Sequence, residues 1–185
     1  MKIIVAVTGA SGALYARQTL ECLLASHQVE TIALIVSRSA EEVLRHEGIE
    51  LPCDGRIRRF DNDDMTASVA SGSAEWEAMI VVPASMGTVA RIAAGVSHSL
   101  IERAADVMLK ERRRLILVVR ETPYSLIHLR NMTALTEAGG IILPASPSFY
   151  IKADSIDELC MSVTLRAAAM AGIAIERKRW GDDRE

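Results

Sequence analysis

The residues best placed to do chemistry sit where apolar runs break off. The first such break is Thr8-Gly9-Ala10-Ser11-Gly12-Ala13, between a strand-like run and a helix-like run. Glycines there let the backbone approach a phosphate, and the unpaired N–H groups of a helix start attract an anion. Nucleotide binding is the functional reading; a plain tight turn is the alternative. The spacing is not GxGxxG, because Ala10 and Ser11 interrupt it. A dinucleotide site also calls for an acid at the end of the second strand to hold ribose hydroxyls. Here that strand ends Val36-Ser37-Arg38, and Ser37 offers one hydroxyl in place of a carboxylate. A mononucleotide such as FMN fits better.

Further polar groups follow later breaks. In Pro83-Ala84-Ser85-Met86-Gly87-Thr88, Ser85 is a good helix cap, and Thr88 adds a second hydroxyl three residues on. The pair either caps a helix or holds a phosphate or a flavin edge. Arg120-Glu121-Thr122-Pro123 puts an acid beside a cation at the end of an aliphatic run, as an ion pair or as a functional acid. Arg103 and Lys110, seven apart on a predicted helix, share a face with Asp106 between them. They form a solvated salt-bridge face or a phosphate-binding stripe. In the last predicted helix, Ile156, Leu159, Val163, Arg166 and Met170 follow 3-4 spacing, which predicts an apolar stripe with an arginine in it. A guanidinium there either snorkels, pairs internally, or serves an anion site at a buried surface. Tyr150 ends a loop and could add a phenol to that site. His27, His46, His98 and His128 show no metal-ligand spacing, and Cys22, Cys53 and Cys160 no disulfide or zinc pattern. No metal is expected.

The elements that must carry these groups alternate. Strands are predicted over Lys2–Val7, Glu30–Val36, Ala78–Val82 (stopped by Pro83), Leu115–Val119 and Gly140–Leu143. Helices are predicted over Gly12–Ala25, Ser39–Glu47, 86–94, 99–112, Ser125–Ala138 and Ser155–Ala171, with 48–75 irregular. Strands separated by helices predict one α/β domain over 1–185: a three-layer, Rossmann-like (flavodoxin-like), doubly wound and mostly parallel sheet. Ligands in such folds sit beyond the carboxyl ends of the strands. The core must be aliphatic, since half of the 185 residues are hydrophobic and only 4% aromatic. A net charge of −3 argues against a nucleic-acid partner. Arg112, Arg113 and Arg114 read as a solvated helix end. With no signal peptide and no apolar run of membrane-spanning length, a soluble cytoplasmic protein is expected.

Seven segments together resemble the flavin prenyltransferases of the UbiX type: TGASGA at 8–13, SGS at 71–73, LIERAADVMLKERR at 100–113, VRETP at 119–123, IHLRNM at 127–132, LPASPSFY at 143–150 and RW at 179–180. The resemblance implies an FMN-binding, metal-independent enzyme, commonly a dodecamer built of trimers. It would join the dimethylallyl group of dimethylallyl phosphate to flavin N5 and then C6 of reduced FMN. The product would serve a UbiD-like decarboxylase. The resemblance makes Gly9, Ala10, Ser11, Ser37, Ser85, Met86, Gly87, Thr88 and Arg120 flavin contacts. It makes Arg103, Lys110, Tyr150 and Arg166 contacts of the prenyl phosphate. It gives Ser11, Glu47 and Glu121 parts in proton transfer. The second flavin loop of the family often reads CS-x-K-T; here Ala84 and Gly87 replace its Cys and Lys, and the loop looks more like the PASANT loop of the flavin-dependent cysteine decarboxylases. Asp64 stands where some members carry a tryptophan. A cysteine decarboxylase and a non-catalytic FMN carrier or accessory subunit are therefore the competing expectations.

Overall fold

The computed structural model describes residues 1–175, so Arg179 and Trp180 of the last matching segment lie outside the described residues. Among the described residues, six strands and six α-helices follow in the order β1 (Lys2–Val7), α1 (Ala13–Ala25), β2 (Thr31–Val36), α2 (Arg38–Glu47), β3 (Ile57–Phe60), β4 (Ala78–Ala84), α3 (Met86–Ala93), α4 (Leu100–Lys110), β5 (Arg114–Val119), α5 (Leu126–Glu137), β6 (Ile141–Pro144) and α6 (Ile156–Met170). All five strand pairings are parallel, in the order β3-β2-β1-β4-β5-β6. This is the doubly wound architecture, with the chain reversing direction across the sheet between β1 and β4.

A parallel sheet covered on both faces needs strands that are apolar on every residue, and β1 meets that demand. Ile3, Val5 and Val7 face a core layer shared with α1, α2 and α6, built from Leu20, Leu23, Leu44 and Val163 among others. Ile4 and Ala6 face the other layer, with Val89 and Ile92 of α3 and Leu100, Ala104 and Met108 of α4. No helix among the described residues is long and apolar enough to cross a membrane.

Three expectations need correction. First, β4 does not stop at Pro83. It runs to Ala84 and takes a register shift between Val81 and Ala84 against β5, so Pro83 marks an irregularity inside the strand. Second, 48–75 is not wholly irregular, because Ile57–Phe60 forms β3 at the sheet edge. Its two central residues, Arg58 and Arg59, are exposed and hide the strand from an apolar-run reading. Third, the Arg112–Arg114 run is not simply solvated. Arg113 donates to the carbonyls of Trp76 and Gly72, and Arg114 to that of Ala171.

Candidate active site

The reversal between β1 and β4 is where a doubly wound sheet leaves a crevice beyond its carboxyl ends, and hydrogen bonds join the loops leaving β1, β2, β4 and β5 there. Thr8 joins two of them. Its hydroxyl donates to the Pro83 carbonyl at 2.7 Å and accepts from the Ser85 N–H at 2.8 Å. It is 2% exposed, so the two bonds fix the loop after β1 against the loop after β4. Ser37, after β2, donates its N–H to the Val7 carbonyl at 3.0 Å, while its hydroxyl caps α2 through Ala40. Arg120, after β5, donates from Nε to the Ser11 carbonyl at 3.1 Å and from its backbone N–H to the Ala84 carbonyl at 3.3 Å.

Gly9 is required by a close approach. A Cβ there would stand 2.5 Å from Cβ of Ser39, at the start of α2. The substitution Gly9→Ala must push the first loop off α2. We expect a stability loss of about 1–3 kcal/mol, read by chemical denaturation, with FMN affinity falling alongside. Ala10, the next residue, is buried.

Gly9, Ser11, Ser39, His46 and Glu47 line one cleft of about 620 Å³ beside α2. The structure thus brings together Ser11 and Glu47, which are remote in sequence. It also corrects one expectation. The N–H groups of Gly12 and Ala13 are not free for a phosphate, because the Glu47 carboxylate accepts from both, at 2.8 and 2.7 Å. The anion at the α1 N-terminus is this chain's own side chain.

In the second loop the Ser85 hydroxyl caps α3, accepting from the Thr88 N–H at 3.4 Å, and lies 3.1 Å from the Thr88 hydroxyl. Met86 and Thr88 are buried, and Gly87 is exposed at the helix start. Capping and ligand binding are compatible here, since one hydroxyl can serve both. Hydroxyls on three loops, a guanidinium across a fourth and a glycine at the closest approach suit the polar tail of a mononucleotide such as FMN.

The cations are distributed differently. Arg103 pairs with Asp106 at 2.6 Å and donates to the Ala70 carbonyl at 3.1 Å. Asp106 does not bridge to Lys110, which pairs instead with Glu111. Lys110 ends α4, just ahead of the amino end of β5. The six residues of β5 span about 20 Å at 3.3 Å each, and Arg120 lies beyond their far end. One chain therefore holds Lys110 and the loops around Ser11, Ser85 and Arg120 at opposite ends of the strands. Arg120 and Glu121 form no ion pair among the described residues; Glu121 instead accepts from the Thr122 N–H at 2.9 Å.

Arg166 is exposed, so the predicted stripe is wrong in phase. The face of α6 packed on α1 is Cys160, Val163, Thr164, Ala167 and Ala168, and Ile156 is 74% exposed. Arg166 falls beside that face. A neighbour explains its place: the Ser162 hydroxyl, one turn earlier, accepts from the Ser148 N–H at 3.0 Å. The loop bearing Tyr150 is thereby hung on α6 close to Arg166. Asp64 sits in an exposed turn, accepting from the Thr66 N–H and hydroxyl.

Sequence reasoning missed a buried acid. Glu102 is 3% exposed and pairs with Arg91 across the α3–α4 contact. Its other oxygen accepts from the N–H groups of His98 and Ser99, each at 2.9 Å, capping α4. Burial raises the Glu102 pKa, but the hydrogen bonds from Arg91, Ser99 and His98 outweigh it and hold the carboxyl below its ordinary range. A depressed carboxyl stabilises the fold above its unfolded pKa, and that contribution is lost as pH falls through the folded value. The midpoint difference between the native chain and Glu102→Gln should be present at neutral pH and vanish in strong acid. Thermal unfolding across that range would check it. The signal available in the sequence was Ser99 followed three residues on by Glu102, a capping-box spacing.

The Flavoprotein family model matches residues 1–168. The flavin prenyltransferase UbiX of Thermoplasma acidophilum is 43% identical over 184 residues, covering 97% of this chain and 100% of that protein. The structure resembles that of AnUbiX in complex with FMN and dimethylallyl pyrophosphate, with a TM-score of 0.89, 43% identity and coverage of 96% of this chain and 97% of that one. It also resembles a dodecameric FMN-dependent UbiX-like decarboxylase from Escherichia coli, with a TM-score of 0.88, 37% identity and coverage of 97% and 98%. With its doubly wound fold, its mononucleotide-like crevice and this degree of identity, the chain belongs to the Flavoprotein family and, within it, to the flavin prenyltransferases of the UbiX type.

Proposed function

We propose that this chain transfers a dimethylallyl group from dimethylallyl phosphate to reduced FMN, releasing phosphate. The observation that carries the proposal is the crevice at the β1–β4 reversal, where Thr8 locks the Ser11 and Ser85 loops together and Arg120 spans them. Gly9, Ala10, Ser11, Ser37, Ser85, Met86, Gly87 and Arg120 hold FMN, and Thr88 serves the same site through the Ser85 hydroxyl. Bound reduced FMN supplies the nucleophilic nitrogen and ring carbon that receive the prenyl group. The chain's own residues manage the charge. When the allylic C–O bond breaks, its electron pair leaves with the phosphate. Arg103, Lys110 and Arg166, with the Tyr150 phenol, stabilise that growing negative charge. Glu121 and Ser11 stand at the flavin end of the crevice, placed to pass a proton toward the departing oxygen. Glu47 fixes the start of α1 beside them.

Because Lys110 lies at the amino end of the strands, away from their carboxyl ends, a second copy supplies it to the site. An apolar surface beyond β5 and β6 supports assembly: Leu126, Ile127 and Leu129 of α5 are 47–68% exposed, and Phe149 is 78% exposed. The dodecamer seen in the Escherichia coli relative is the assembly proposed here. The product goes to a UbiD-like decarboxylase. The cytoplasm is the proposed compartment, and the free thiols of Cys22, Cys53 and Cys160 suit a reducing one. Phosphate release that requires both reduced FMN and dimethylallyl phosphate tests the proposal; release unaffected by omission of FMN would contradict it. Running dimethylallyl diphosphate in parallel identifies the donor.

A further inference from the structure

The pair formed by the half-exposed Arg91 and the buried Glu102 reaches the loop after β4 through two hydroxyls. Arg91 Nη2 lies 3.4 Å from the Thr88 hydroxyl, which lies 3.1 Å from the Ser85 hydroxyl. An arginine only donates, so Thr88 is the acceptor at the first contact. The second contact allows either direction by geometry, but hydrogen counting decides it. If Ser85 donated to Thr88, the Thr88 hydrogen would need another acceptor. Thr88 is 4% exposed, and its hydroxyl has no acceptor other than Ser85 among the described residues. A buried donor left unmade is costly. With Thr88 donating, every group is served. Ser85 then accepts the Thr88 O–H and the Thr88 N–H, which fills both its lone pairs. Its own hydrogen is left to point away from α3, into the crevice.

We propose that Arg91, clamped by Glu102, is a positioning residue that sets the direction of the Arg91–Thr88–Ser85 chain, so that Ser85 presents its hydroxyl hydrogen to an acceptor oxygen of FMN; this rests on Ser85 being a flavin contact.

The test reads FMN affinity by quenching of flavin fluorescence, independent of turnover, with thermal midpoints to confirm folding. Removing Arg91 alone would strand a buried carboxylate, so the informative variant is Arg91→Met/Glu102→Gln. It should weaken FMN binding about fivefold, the scale of one lost hydrogen bond. Thr88→Val should do the same, and Thr88→Ser should stay within about twofold. Adding the pair variant to Thr88→Val should cost nothing more, because Arg91 acts through Thr88. A folded pair variant with native FMN affinity would overturn the role of Arg91, as would a further fivefold loss on top of Thr88→Val. Ser85→Ala separates the two levels: native affinity there would overturn Ser85 as a flavin contact, whereas weakened affinity with a silent pair variant would overturn Arg91 alone.

Discussion

Replacing Arg166 by alanine should lower kcat/KM for dimethylallyl phosphate by about 100-fold or more, the range for losing a charged group that stabilises a developing anion. The basis is geometric. Arg166 is exposed on α6, one turn beyond Ser162, and Ser162 holds the Tyr150 loop at 3.0 Å through Ser148. A guanidinium and a phenol so placed can take one phosphate together, the guanidinium in a bidentate fork. The loss should fall on the donor KM and on kcat, leaving FMN affinity unchanged, because the flavin loops lie elsewhere. Thermal stability should hold as well, since the side chain is outside the core. Arg166→Lys should recover only part of the rate, because an ammonium cannot reproduce the fork. Steady-state kinetics with saturating reduced FMN would decide. A variant that lost FMN affinity while keeping its donor KM would place Arg166 in the wrong subsite.

The second large effect concerns subunits. Lys110→Ala and Glu121→Gln should each reduce turnover about 100-fold or more when assayed alone. When the two variants are unfolded together and reassembled, activity should return. Lys110 and the loops proposed to hold the flavin lie at opposite ends of the strands in one chain, so the proposed site draws Lys110 from one copy and Glu121 from another. In a randomly mixed assembly with such a head-to-tail interface, about a quarter of the sites contain both native residues. Recovery near that fraction, absent when each variant is reassembled alone, is the expected result. No recovery after mixing, with assembly intact by light scattering, would put both residues in one chain's site or exclude Lys110 from it.

The sheet was legible in the sequence because its signal is local. Runs such as Lys2–Val7 and Leu115–Val119 are apolar on consecutive residues, as a strand buried on both faces demands. The loops at their carboxyl ends followed directly, and with them Gly9, Ser37, Ser85 and Arg120. The misreadings came where the pattern is ambiguous or the partner distant. On α6 two stripes one residue apart both obey 3-4 spacing; docking on α1 selects the one with Cys160 and Ala167 and leaves Arg166 outside. The Glu47 bonds to Gly12 and Ala13 span 35 and 34 residues, and no spacing rule reaches them. The same holds for Thr8 with Ser85 and for Arg91 with Glu102, which are set by the packing of neighbouring loops and helices. Asp106 lay within one helical turn of both Arg103 and Lys110, and only the structure assigns it to Arg103. Of the proposed donor subsite, the residues alone offered only separate candidate anion contacts, Arg103 with Lys110 and Arg166 with Tyr150; the resemblance joined them into one site, since they are scattered across elements and, in the proposed assembly, across copies.

The mass of the bound flavin is the most direct test of the central claim. The protein, incubated anaerobically with reduced FMN and dimethylallyl phosphate and then denatured, should release a flavin heavier than FMN by one isoprene unit. That gain should be missing when the donor is omitted and strongly reduced in Arg166→Ala. Unmodified FMN from enzyme saturated with both substrates, after long incubation, would contradict prenyl transfer and return the chain to the carrier or decarboxylase readings.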